Sequence, residues 1–386
     1  MPKAGDSVMT SSIGSIQPSA AEEVRQTDLA HIADVLEGEF SDMSGSRLLI
    51  TGGAGFLGYY LVQAVLHWNE NRPDRKIEVV AADNFIRGMP EWIAELDGRS
   101  ELIVTRTDVT QPLPSGFGDF DYVIHAAGIA SPHFYRAHPI ETMDANVNGL
   151  RNLLDMSREA MGGDRPTLGF LYYSSSEIYG DPDASAIPTP ETYKGYVSST
   201  GPRACYDESK RFGETLCVSF AQVHGVPTRI ARPFNNYGPG MKINDGRVPA
   251  DFCRAVIENR DIVMYSDGSP TRTFCYVADA VAGYFKALVR GRAGEPYNIG
   301  VESPEISVAD FGELVVSIGS DLFGYTGKVV RQVSQEDDYL VDNPSRRCPQ
   351  IHKARSELDY SPSYTLEDGI RRTLLWYSGN QKPEGD

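Results

Sequence analysis

Little in this chain of 386 residues points to metal, disulfide, membrane or nucleic-acid chemistry. The five cysteines, at positions 205, 217, 253, 275 and 348, lie far apart and never form a CxxC pair. That pattern argues against a zinc cluster or a disulfide framework, so reduced thiols and no metal are expected. No apolar run approaches the roughly 20 residues a membrane-spanning helix needs, and the N-terminus lacks the basic-then-apolar order of a secretory signal. Basic residues are also scarce. Lys and Arg total 36 against 53 Asp and Glu, a formal net charge of -17 that repels polyphosphate chains and anionic lipid at long range. Neither nucleic acid nor membrane is expected as a partner, and a cytoplasmic location is. A small anion remains within reach, because a few converging arginines or a helix N-terminus decide that locally.

What is present is an alternation of short and long patterned segments. Residues 1 to about 18 are rich in Ser, Gly and Pro and read as mobile. From Ala20 to Phe40, Val24, Leu29, Ile32, Val35, Leu36 and Phe40 recur at helical spacing, with Glu22, Glu23 and Asp28 toward the start, where the helix dipole favours acids. This predicts an amphipathic helix covering an apolar surface of the main body. After Gly45, β-branched runs at 47–51, 77–83, 101–106, 121–126, 168–174 and 227–232 alternate with helical stretches near 56–68, 140–160 and 204–223. Such a rhythm predicts an α/β fold, a Rossmann-type doubly wound parallel sheet whose ligands collect at the carboxyl ends of the strands. Further helices are expected near 277–290, 307–320 and 365–378. The expected division is an N-terminal extension over 1–44 and a dinucleotide-binding domain over 45–235 that also receives parts of 266–298. A smaller, discontinuous C-terminal substrate-binding lobe takes most of 236–386.

The run TGGAGFLG at 51–58 follows the strand RLLIT and opens a helix, so backbone N–H groups can approach a pyrophosphate with no side chain in the way. Gly52, Gly55 and Gly58 supply that turn, and Phe56 and Leu57 begin the helix. Asp83 ends the second strand 25 residues after Gly58, where a carboxylate binds the ribose hydroxyls of the adenosine half and repels a 2′-phosphate, favouring NAD over NADP. Asn84 follows it. Asp108 and Val109 stand after the third strand, and Ala126 and Ala127 in the HAAG run after the fourth, where the rest of the dinucleotide would pass. His125 is more often a strand-end histidine than a catalytic one and is assigned no chemistry.

Tyr206 precedes Lys210 by four residues in GPRACYDESKR, so both project from one face of a helix. An ammonium beside a phenol, aided by a positive nicotinamide ring, brings the phenol from about 10 toward neutrality and makes it a general base. YxxxK alone is common on amphipathic helices. Its weight comes from the run SSSEIYG at 174–180, ending a strand, where a hydroxyl can bond the same substrate alcohol.

In this order and spacing, the glycine turn, Asp83, the serine run and YxxxK resemble the extended short-chain dehydrogenase/reductase family, over about residues 46–375. Within it, GPRACYDESKR, SSSEIYGDP, RPFNNYGPGMKINDGRV, SDGSPTRTFCYV and NPSRRCP are similar to the UDP-glucuronate decarboxylases. The resemblance implies NAD as cofactor, a UDP-sugar as substrate and a homodimer built from helices near 140–160 and 204–223. It implies Tyr206 and Lys210 as the catalytic base pair, Ser175 as the hydroxyl partner, Glu177 as a catalytic carboxylate aided by Ser176, and Arg272 as an active-site arginine. Asn235, Arg247 and Arg347 are implied to contact the nucleotide diphosphate, and Ser131 and Tyr135 to lie beside the sugar.

The implied reaction oxidises C4 of a glucuronosyl ring, giving a ketone β to the C5 carboxylate, which then leaves as carbon dioxide. Ser176 stands where 4,6-dehydratases of this family place an aspartate, which disfavours dehydration. The retained Glu177 disfavours a simple 4-epimerase less decisively. A non-catalytic NAD-binding sensor is the rival of another class, and the joint presence of Tyr206, Lys210, Ser175 and Glu177 argues against it. Departures from the family pattern are the 128–135 loop, which keeps Ser131, Pro132 and Tyr135 but lacks two prolines, Gly240 in place of an arginine, and Ser209 in place of a glycine.

Overall fold

Strands buried on both faces read as continuous apolar runs, because helices cover each side of a parallel sheet and no face is left for polar residues. Five such runs and a half-exposed edge strand, third in chain order, become β1 (Arg47–Thr51), β2 (Glu78–Asp83), β3 (Leu102–Arg106), β4 (Tyr122–His125), β5 (Gly169–Tyr173) and β6 (Thr228–Pro233) in the computed structural model. It describes residues 19–70, 72–114, 117–332, 341 and 343–380. A seventh strand, Pro296–Ile299, pairs with β6, and every pairing in this sheet is parallel. The order is Pro296–Ile299, β6, β5, β4, β1, β2, β3. The chain winds outward from β1 through β3, then crosses to β4 on the other side of β1, so the switch in direction opens a crevice at the carboxyl ends of β1 and β4.

The seventh strand carries no apolar signature that sequence patterning would catch. Its Asn298 is fully buried and bonds Tyr179 Oη (2.7 Å), the Thr189 carbonyl (2.9 Å) and the Gln350 carbonyl (3.0 Å). The strand is thus held partly by polar partners from distant loops. The segment expected as one helix over 140–160 contains a π-turn, Ala145–Gly149, between Pro139–Asp144 and Leu150–Ala160. In that turn Gly149 lies against Val109, whose Cγ2 would be 2.7 Å from an added Cβ.

The N-terminal helix is divided as well. Its first part, α1 (Ala20–Val35), is capped by Ser19, whose Oγ accepts from Glu22 N at 3.2 Å. The chain leaves helical geometry at Leu36 (φ -111°) and resumes as α2 (Glu37–Asp42), which brings buried Glu39 to Lys286 (3.2 Å) and Arg290 (2.6 Å). On α1, Val24, Leu29 and Ile32 are buried against α3 (Phe56–Glu70) and the helices Val277–Arg290 and Leu366–Asn380.

Asp28 is the polar anchor of that docking. Fully buried, it accepts from Tyr60 Oη (2.7 Å), Tyr276 Oη (2.5 Å), Tyr364 Oη (3.0 Å) and Arg372 Nη1 (2.9 Å), and burial still raises its pKa against these donors. Asp28→Ala strands three hydroxyls and one guanidinium together. It is expected to lower unfolding stability by about 3 kcal/mol, with Asn costing less because it keeps an acceptor oxygen. Denaturant melts of both variants check this.

Smaller sheets sit over the carboxyl ends of the main strands. Thr271–Arg272 lies between Ile306–Ser307 and Arg346–Arg347, in a register that sets Arg272 opposite Arg347. Cys275–Tyr276 pairs with Asn236–Tyr237, and Ile262–Met264 with Val329–Arg331. All five cysteines are free thiols. Among the described residues, no helix is long and apolar enough to cross a membrane.

Candidate active site

The glycine turn brings three backbone segments closer together than any side chain would permit. Gly52 has φ +72°, and a Cβ there would stand 2.7 Å from Ala127 N and 2.8 Å from Ala126 O. Asp83, at the end of β2, accepts from Ala54 N (3.1 Å) and Phe85 N (2.8 Å), fixing its carboxylate beside the turn. Gly52, Gly55, Phe56, Leu57, Gly58, Asp83, Asn84, Asp108, Val109, Ala126 and Ala127 line one cavity of about 990 Å³. A bare backbone cradle at a helix start, with a carboxylate one strand away, is a donor and acceptor set that fits the pyrophosphate and ribose of a dinucleotide. His125, beneath this floor, bonds Thr51 Oγ1 at 2.9 Å, and burial lowers its pKa to about 3, so it is a neutral structural ring.

The same cavity continues to Ser131, Tyr135, Ser175, Ser176, Glu177, Tyr206, Lys210, Asn235, Arg247 and Arg272. Tyr206 and Lys210 lie in the first turns of the helix Ala204–His224, buried to 6% exposure each. Lys210 Nζ donates to the Tyr173 carbonyl (2.7 Å) and stands 5.7 Å from the centre of the Tyr206 ring. The expected lowering of the phenol is not produced by the protein alone. Burial raises Tyr206 to about 12 despite the downward pull of its hydrogen bond with Ser175, and burial lowers Lys210 to about 7. Desolvation favours the neutral form of both groups, and the lysine hydrogen-bonds a carbonyl rather than the phenol.

Beyond β5, Ser175 caps a short turn, Ser176–Tyr179, its Oγ accepting from Glu177 N at 3.1 Å. Glu177 is ringed by arginines. Arg203 Nη2 bonds its Oε2, Arg347 Nη2 lies 3.1 Å from the same oxygen, and Arg272 adds its charge nearby. Burial pushes Glu177 upward, but the three guanidinium groups outweigh it and hold its pKa below the usual value. Arg272 lines the cavity while donating to the carbonyls of Thr271 (2.8 Å), Ser345 (3.3 Å) and Pro344 (2.6 Å). Burial and the neighbouring Arg347 lower it to about 10, which leaves it cationic at neutral pH.

Arg347 is engaged by protein partners. At 3% exposure it is taken up by the turn beside the cavity, donating to Ser176 Oγ (3.1 Å) and the Gly180 carbonyl (3.3 Å) as well as pairing with Glu177. Arg247 does face the cavity, with Nε on Asp245 Oδ1 (2.5 Å) and its guanidinium over Phe56 (5.4 Å). Asn235 (φ +44°) donates to the Thr273 carbonyl at 2.8 Å, and Ser131 Oγ to the Asp245 carbonyl at 2.7 Å. Tyr135 stacks on Tyr206 with ring centres 5.0 Å apart and planes 12° from parallel.

Two departures from the family pattern acquire reasons. Ser209 Oγ accepts from Asn146 Nδ2 and donates to the Tyr206 carbonyl, each at 2.9 Å, so it ties the π-turn to the catalytic helix. Gly240 has φ +89°, and a Cβ there would lie 2.5 Å from Tyr59 Cβ, so this backbone admits no arginine. Arg203 and Asp207 are functional candidates that the sequence did not disclose. Their spacing of four is that of an ordinary surface ion pair, and only the fold reveals that both are buried, Arg203 at 8% and Asp207 at 5% exposure.

A doubly wound sheet with a glycine cradle, a ribose-directed carboxylate and a buried tyrosine–lysine pair defines a nicotinamide-dependent enzyme site. The chain belongs to the NAD dependent epimerase/dehydratase family, whose profile matches residues 48–300, and NAD is its cofactor. It is 35% identical over 337 residues to UDP-glucuronic acid decarboxylase 1 of Xenopus tropicalis, spanning 87% of this chain and 73% of that protein. To UDP-glucuronic acid decarboxylase 3 of Arabidopsis thaliana it is 37% identical over 324 residues, 84% of this chain and 86% of the relative. An epimerase from Methanothermobacter thermautotrophicus superimposes with a TM-score of 0.75 at 25% identity, covering 91% of this chain and 96% of that one. The UDP-glucuronic acid 4-epimerase of Bacillus cereus, solved with UDP-glucuronic acid and NAD, does so with 0.69 at 25% identity, over 86% and 99%. The extended short-chain dehydrogenase/reductase assignment and the Rossmann-type fold expected from the sequence are both borne out.

Proposed function

We propose that this protein decarboxylates UDP-glucuronate to UDP-xylose through a 4-keto intermediate. The observation that carries this reading is the convergence of Arg203, Arg272 and Arg347 on Glu177 beside Tyr206: three cations against the two resident carboxylates, Glu177 and Asp207, leave a positive charge for the carboxylate of a uronic acid. The curated decarboxylases of similar sequence support it. The chemistry supplied by the cofactor when bound is reversible two-electron oxidation at C4. Tyr206 takes the C4 hydroxyl proton, with Ser175 bonding the same oxygen, and Lys210 holds the tyrosine's surroundings polar through the Tyr173 carbonyl. Arg272 orients the carboxylate until it departs. Glu177 and Ser176 hold the water or proton that C5 receives, and Tyr206 returns its proton to O4.

Incubation of the purified enzyme with NAD and UDP-glucuronate, followed by mass spectrometry, tests the reading. Loss of one carbon dioxide supports it. An isobaric product of altered configuration would favour the 4-epimerase instead, a reading for which the structural likeness to the Bacillus cereus enzyme speaks.

The same proposal includes a homodimer in the cytoplasm. Ile140 (60% exposed) and Met143 (36%) on one helix and Phe212 (49%) and Val223 (72%) on the neighbouring Ala204–His224 leave apolar side chains on one exposed pair of helices. Large apolar side chains grouped in this way are characteristic of interfaces. Phe212→Glu is expected to shift sedimentation from dimer to monomer; an unchanged dimer would move the interface elsewhere.

A further inference from the structure

Around Tyr206 three buried polar atoms have no hydrogen-bond partner: Tyr135 Oη, Arg203 Nε and Asp207 Oδ1. Unsatisfied buried groups are costly, and these three adjoin the proposed sugar site. They are connected through Arg203, whose Nη2 bonds Glu177 and whose Nε lies 3.5 Å from Asp207 Oδ2, with its guanidinium 5.8 Å from the Tyr135 ring centre. One guanidinium therefore stands between two carboxylates that have very different company. Glu177 also has Arg347 and Arg272, whereas Asp207 has a single long contact and one bare oxygen.

We infer that Asp207 is a positioning residue that takes up a proton when a carboxylate-bearing sugar binds, leaving Arg203 wholly to Glu177 and the incoming carboxylate. This rests on the decarboxylase reading above. A uronate brings a third negative group to the cluster, and of the two resident carboxylates Asp207 is the one whose anion is poorly solvated. The groups facing it are Glu177, Arg203, Arg347, Tyr135, Tyr206 and Cys205, of which only the two nearer arginines favour its charge. Burial first, and Glu177 second, already push Asp207 up to about 7. A nucleotide sugar without a carboxylate adds no charge and draws no proton.

The sign follows. Where Asp207 is already protonated, below about pH 7, uronate affinity is flat. Above it, binding requires uptake of a proton and weakens by up to about tenfold per pH unit. Lys210 is brought to about 7 by burial and titrates in the same range, but it faces both ligands and remains when Asp207 is changed.

The test measures dissociation constants of UDP-glucuronate and UDP-xylose calorimetrically from about pH 6 to 9 on NAD-saturated Tyr206→Phe protein, whose turnover is slowed, with and without Asp207→Asn. Mass spectrometry of the recovered sample confirms unconverted ligand. A slope for the uronate alone, abolished by Asp207→Asn, is expected. Equal slopes for both sugars, or a slope unaltered by Asp207→Asn, would overturn the inference while leaving the decarboxylase reading intact. If Asp207→Asn does not fold, the comparison of the two sugars on the chain that retains Asp207 decides. Binding of UDP-xylose without any binding of UDP-glucuronate would instead remove the decarboxylase reading itself, and the inference with it.

Discussion

Tyr206→Phe is expected to slow UDP-glucuronate turnover by about 10²- to 10⁴-fold, the usual contribution of a positioned acid–base group, while NAD affinity changes little. The phenol ring is stacked on Tyr135 and 6% exposed, so losing only the oxygen leaves its packing in place. Lys210 keeps its bond to the Tyr173 carbonyl, and the glycine cradle is untouched. With the phenol at about 12 in the protein alone, the wild-type rate should climb with pH as the base ionises, and the Phe variant should lose that limb. Rapid-mixing kinetics across pH, with a fluorescence titration of cofactor binding, measures both halves. A Phe variant that retains turnover within a few-fold of wild type would place the base elsewhere.

Why the tyrosine was legible and its environment was not is a matter of range. A tyrosine and lysine four apart on a helix, or glycines spaced through a turn, are local patterns whose geometry the backbone sets by itself. The central strand runs were readable because burial on both faces leaves a mainly apolar run, and the edge strand β3, with Ile103 44% exposed, was readable from its β-branched residues. Pro296–Ile299 escaped because buried Asn298 is satisfied by partners 52 to 119 residues away. The partners of Arg347 were not legible, because its place is decided by the register of Arg346–Arg347 on Thr271–Arg272, a pairing with no local signal. The rise of the phenol in the protein alone was not legible because desolvation is a property of the whole fold. Arg203 and Asp207 illustrate the converse: an unremarkable pair spacing becomes chemically loaded once the fold buries it beside Glu177.

Glu177→Gln is expected to cut UDP-xylose formation by about 10²- to 10³-fold while sparing the first oxidation, so that reduced nicotinamide and a keto sugar accumulate. The side chain keeps its size, and Arg347 retains Ser176 and the Gly180 carbonyl, so the turn at Ser176–Tyr179 should persist. What disappears is the charge that Arg203 and Arg347 share and the oxygen that can hold a proton for C5. Oxidation at C4 needs Tyr206, Ser175 and Lys210 and should proceed. The later protonation should stall, and the uncompensated arginines should hold the substrate carboxylate more tightly, opposing its loss. Near-ultraviolet absorbance in a single turnover reports the accumulating reduced cofactor, and mass spectrometry of the quenched mixture reports the sugar. Product formation at the wild-type rate would remove Glu177 from the scheme and leave the arginine cluster with a binding role only.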